Sequence, residues 1–134
     1  MKYILLSETE MDIMQILWKA KTGLSRPEIL SHMESKDWNP NSIHQVLNSM
    51  MKKGVLQVDG MARCGKVYGR TYMPTMTQQE FLTRRTQEIT PGLSSKERIL
   101  GIVAALTELD GIDAETIGEL EQLLAVRKKE LNTR

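Results

Sequence analysis

Among the serines and threonines that stand three residues ahead of a glutamate, four sit where a helix can open: Ser7 and Glu10, Ser25 and Glu28, Thr77 and Glu80, Ser94 and Glu97. At that spacing the hydroxyl accepts from the third helical amide while the glutamate reaches back to the cap, so each pair marks a helix start. The order of short helices is therefore set locally, before any distant contact forms. Behind the first box, Met11, Ile13, Met14, Leu17 and Trp18 supply an apolar side, and Gly23 ends the segment. Behind the second, Ile29, Leu30 and Met33 point inward. The helix after Thr77 is predicted to run to about Glu88, "TPGLSS" breaks it, and "KERILGIVAALTEL" follows Ser94. Asp110-Gly111 turns the chain, and Asp113 caps a last helix reaching about Leu131.

Between the second and third boxes lies "KDWNPNSIHQVLNSMMKKGVL", residues 36–56. Asn39 suits a helix cap, Pro40 the first helical position, and Gly54 the stop. Ile43, Val46, Leu47 and Met50 recur at helical spacing as one buried stripe. The opposite face carries Asn41, Ser42, His44, Gln45, Asn48, Ser49 and Lys52, with no carboxylate between Pro40 and Val58. After Gly54, "VLQVDG" and "VYGRTYMP" read as two strands around "MARCGK", with Cys64-Gly65 at the tight turn and Pro74 at the end. Helix, helix, polar-faced helix and hairpin make a winged helix, the second and third helices forming a helix-turn-helix and the hairpin the wing. The fold expected is mainly α: a winged helix-turn-helix domain over 1–75, then a helical dimerisation region over 76–134.

The net charge of +1 argues for no polyanionic partner, but its distribution does. Residues 1–75 hold ten Lys/Arg and seven Asp/Glu, residues 76–134 eight and ten. A basic front half on an acidic rear half suits a module that meets phosphate at one end. The single cysteine excludes an internal disulfide and points to a reducing, cytoplasmic setting. No apolar run approaches the roughly 18 residues of a membrane span, and the four apolar residues in "MKYILLSETE" are too few for a signal peptide. Two histidines and one cysteine stand far apart, so no metal site is expected, and no cofactor motif, phosphate loop or nucleophile elbow occurs. An enzyme is not expected.

The amide- and hydroxyl-rich helix face suits a reader of duplex DNA. Asn and Gln pair with adenine edges, Ser reaches donors or acceptors, and His meets guanine acceptors. Asn41, Ser42, His44, Gln45 and Asn48 are the candidate readers. Lys52, Lys53, Arg63, Lys66 and Arg70 are candidate phosphate contacts, which position a protein without reading sequence. A rival reading makes the same neutral face a protein-binding surface. In the rear half, "ILGIVAAL" is apolar nearly all round, and Ile117, Leu120 and Leu124 lie on one stripe. Ile99, Ile102, Val103, Leu106, Ile117, Leu120 and Leu124 are therefore the expected contacts of a homodimer. Cys64 at a wing tip would also permit a thiol switch, a lesser reading, since an unpaired turn cysteine usually has no role.

"LSETEMDIMQILW", "KDWNPNSI", "KKGVL" and "GRTYMPTMTQQEF" resemble, in order and spacing, the penicillinase-repressor family (the BlaI, MecI and CopY group). The resemblance covers residues 6–82; beyond them "LDGIDAETIGELEQLL" is similar to the family's final helix. It implies a winged-helix repressor that dimerises through its C-terminal helices and sits on inverted-repeat operators of resistance genes until a signal, from a sensor or signalling partner, releases it. The chain departs from the family where the helix after Pro40 usually reads Lys-Thr-Ile-Arg-Thr with a further Arg later. Here stand Asn41, Ser42, Ile43, His44 and Gln45, then Ser49, which implies a different operator. The Asn-Phe bond cut in antibiotic-responsive members aligns with Gly101-Ile102, and the C-terminal Cys-x-Cys of copper-responsive members is missing.

Overall fold

All four Ser/Thr–Glu pairs close in both directions, and each opens an α-helix where expected. The computed structural model describes residues 5–33, 39–64 and 67–133. They divide into two compact units, Met1–Ile89 and Thr90–Arg134. In the first unit α1 (Glu8–Ala20) leads through a two-residue strand, β1 (Leu24–Ser25), into α2 (Arg26–His32). A 3-10 turn (Pro40–Ser42) precedes α3 (Ile43–Lys52); β2 (Leu56–Cys64), β3 (Val67–Pro74) and α4 (Gln78–Glu88) follow. The second unit holds α5 (Ser95–Leu106) and α6 (Ala114–Asn132), the latter capped by Asp113, whose carboxylate accepts from the Thr116 amide at 2.7 Å.

Helices α1, α2 and α3 and the sheet enclose a core of Ile13, Met14, Leu17, Leu24, Ile29, Ile43, Leu47, Met50, Val55, Leu56, Tyr72 and Phe81. The α3 stripe is as expected: Ile43, Leu47 and Met50 are buried and Val46 packs beside them. The strands form an antiparallel sheet in the order β1-β3-β2. This is a winged helix, with α2 and α3 as the helix-turn-helix and β2–β3 as the wing.

Three details differ from expectation. α3 begins at Ile43, because Pro40–Ser42 takes the tighter 3-10 path; Asn39 caps that turn, its side-chain oxygen accepting from the Asn41 amide at 2.9 Å. Strand β2 runs on through "MARC", so Cys64 pairs with Val67 in the ladder; Gly65 and Lys66 lie outside the described residues. Finally, α4, expected with the rear segment, packs on the front. Phe81 is buried in the core, its ring 5.5 Å from that of Trp18, whose indole N–H donates to the Met76 carbonyl at 3.0 Å.

Two glycines are needed where they stand. Gly54 takes φ +80 after α3, and its amide donates to Met51 while the Val55 amide donates to Met50. That pair of bonds is a Schellman cap, and buried Val55 over buried Met50 is its usual apolar partner. At Gly23 a Cβ would run into the Asp59 carboxylate, which accepts from the Thr71 hydroxyl at a bulge in β2.

The unit Thr90–Arg134 has no buried residue in either helix. Ile99 and Leu100 at 59%, Leu124 at 55% and Leu106 and Ile117 at lesser values are all exposed, while Ile102, Val103 and Leu120 are half-buried. Two helices in so short a segment cannot enclose a core of their own.

Candidate nucleic-acid interface

The helical path of α3 turns its stripe into the core and so drives the opposite face outward. Asn41, His44, Gln45, Asn48 and Lys52 are exposed and Ser42 is half-buried. His44, Asn48 and Lys52 succeed one another at four-residue steps, and Gln45 stands beside Asn48, so all share one side. The first two candidates, Asn41 and Ser42, sit on the 3-10 turn, with the Ser42 amide donating to the Asn39 carbonyl at 2.9 Å.

Ser49 of this face and Lys53 at the helix end are engaged elsewhere. The Ser49 hydroxyl donates to the Glu10 Oε2 at 3.0 Å, and the Lys53 ammonium sits 2.6 Å from Glu10 Oε1 and 2.7 Å from the Leu5 carbonyl. Glu10 is also the glutamate of the first capping box and takes the Ser7 amide at 2.8 Å. Burial pushes its carboxyl pKa up, but bonds from Lys53, the Ser7 backbone and Ser49 outweigh burial and hold it below the usual carboxylate range. Lys53 thus ties the end of α3 to the start of α1.

On the wing, Arg70 is exposed opposite Met61, and Tyr68, two residues before it on the same strand face, is 68% exposed. Arg63 stands in β2 opposite Tyr68 by backbone pairing; its side chain, that of Cys64 and all of Lys66 lie outside the described residues. Tyr68 escaped the sequence reading, although an aromatic two residues from an arginine in a strand is a legible signal. So did Arg26, which opens α2 and places its Nη1 2.7 Å from the Nδ1 of His44. Among the described residues no cluster of His, Cys, Asp and Glu could hold a metal ion, and no helix is long and apolar enough to cross a membrane.

The model of the family described as "Penicillinase repressor" matches residues 6–126. The chain belongs to the penicillinase repressor family. That match spans most of both units and identifies a family of DNA-binding transcriptional repressors, not a class of enzymes. A curated member, the penicillinase repressor of Bacillus licheniformis, is 24% identical over 124 residues, which is 92% of this chain and 91% of that protein. The solution structure of the B. licheniformis BlaI monomeric form in complex with the blaP half-operator is 26% identical, with a TM-score of 0.42 over 60% of this chain and 93% of that one.

Proposed function

We propose that this penicillinase repressor family member is a homodimeric repressor that holds an inverted-repeat DNA operator, in the antibiotic-resistance setting of its family. The observation that carries the reading is the α3 face: His44, Gln45, Asn48 and Lys52 exposed together on the second helix of a helix-turn-helix, with Asn41 exposed on the turn before it and no carboxylate among them. The N-terminal part of that helix is the part that enters the major groove. Ser42, His44 and Gln45 would touch bases, Asn48 a base or a phosphate. Lys52, with Arg63, Lys66 and Arg70 of the wing, would meet phosphates. Lys53, held by Glu10, is the candidate whose geometry supports that role least.

The second unit would supply the pairing. Within the unit Ile99, Leu106, Ile117 and Leu124 stay exposed and Ile102, Val103 and Leu120 are only half-buried, and a second copy laid against these seven would bury them. A two-fold pair then presents two copies of α3 about 34 Å apart, or a multiple of it, matching half-sites one helical turn apart. The test is selection of duplexes from a random pool by the full chain, followed by binding across a salt series. A palindromic consensus with affinity falling steeply with salt is expected. Salt-independent or undetectable binding refutes the reading and favours a protein-binding surface.

A further inference from the structure

Arg26 is the first residue of α2, and His44 lies in the first turn of α3. Their side chains meet across the helix-turn-helix, Nη1 to Nδ1, at 2.7 Å. A guanidinium can only donate, so Nδ1 accepts and the ring proton resides on Nε2. Among the described residues no ion pair includes Arg26 or His44. The nearby Glu28 is spent on the cap, its Oε1 taking the Ser25 amide at 3.1 Å and hydroxyl at 2.8 Å. A cation at a helix start also opposes the macrodipole, so its position does nothing for α2 itself.

We propose that Arg26 and His44 act as one composite donor that selects guanine. The assignment rests on the DNA-reading role given to α3 above. With Nδ1 engaged, His44 offers the groove one group, the Nε2–H donor, and the guanidinium beside it offers further N–H donors. Guanine presents two neighbouring acceptors in the major groove, N7 and O6; adenine sets a donor beside its N7, cytosine presents a donor, and thymine one acceptor beside a methyl. Two donors side by side therefore match guanine and meet a donor on adenine or cytosine. Arg26 is a positioning residue for the ring, since it sets which nitrogen carries the proton, and a direct contact through its remaining donors. A phosphate would also accept from this pair, but a phosphate contact strengthens every sequence alike.

Two measurements test the assignment. Imidazole 15N shifts of His44 in the free, full-length protein should show an unprotonated Nδ1, and Arg26→Ala should convert this to mixed tautomers. Duplex selection with the wild type should enrich one guanine per half-site, an enrichment lost in Arg26→Ala and His44→Ala alike. Each variant should bind the selected duplex about tenfold more weakly, and the double variant no more weakly than either single one. Replacing that guanine by 7-deazaguanine leaves the protein untouched and should weaken wild-type binding while leaving His44→Ala unaffected. Equal losses on selected and random duplex, additive losses, or an unchanged tautomer overturn the assignment while α3 stays a reader. A wild type without sequence preference overturns the reading of α3 and this assignment with it.

Discussion

Lys53→Met keeps the aliphatic stem and removes the ammonium, which makes it a decisive change. Glu10 would retain the Ser7 amide at 2.8 Å and the Ser49 hydroxyl at 3.0 Å but lose the charge at 2.6 Å. Stripping one partner from a buried ion pair costs about 3–5 kcal/mol. Here the Glu10 side chain is 5% exposed but that of Lys53 is 35%, so water already screens part of the interaction. With two hydrogen bonds remaining, the expected loss is about 2 kcal/mol at pH 7. For a domain of under a hundred residues that lowers Tm by roughly 10 °C. The loss must also depend on pH. Glu10 is held below its unfolded pKa, so its stabilisation is complete above about pH 4.3 and fades as pH falls through the folded value. Without Lys53 the burial contribution gains weight, and the carboxylate becomes a liability as pH rises. Thermal melts of wild type and variant should therefore diverge at neutral pH and converge in acid. Equal Tm at pH 7, together with a salt slope of DNA binding reduced by about one unit, would refute this reasoning and make Lys53 a phosphate contact.

Two further outcomes are expected. Gln45→Ala should weaken binding to the preferred operator by about 1–3 kcal/mol and relax selectivity at one or two base pairs, with random-duplex affinity unchanged because no charge is lost; parallel titrations at one salt concentration check this. Truncation after Ile89 should leave a folded monomer by sedimentation, whereas truncation after Thr75 removes Phe81 from the core and should destabilise it by about 3 kcal/mol in thermal or denaturant unfolding.

What was legible in the sequence follows from the range of each interaction. The capping boxes span three residues and name their own geometry, so the starts of α1, α2, α4 and α5 could be read directly. The α3 stripe could be read for the same reason. β1 could not: two residues carry no alternation, and they are a strand only because β3 lies beside them. From sequence the first strand reads only to Gly60, and the bulge breaks the alternation there. Val58 faces Tyr72 and Gly60 faces Thr71, so Asp59 is one residue too many and shifts the pattern beyond it. At the candidate site, exposure of His44, Gln45 and Asn48 was implicit in the helical period. The contacts of Lys53 with Glu10 and of Arg26 with His44 join residues 43 and 18 positions apart, and no local pattern announces them.

The Schellman cap at Gly54 has a mechanical consequence. Val55 is wholly buried, its amide bonded to Met50 in α3, and its carbonyl receives the Thr75 amide from just beyond β3 at 3.0 Å. The Thr75 hydroxyl adds a second tie, 2.6 Å from the Gly54 carbonyl. Helix and both legs of the hairpin are thus pinned at one hinge point, like the arms of a caliper whose opening has been set. In the DNA reading proposed here, a duplex that seats α3 cannot choose where the hairpin lands. The width of the groove between those two points then becomes part of the message, alongside the bases themselves.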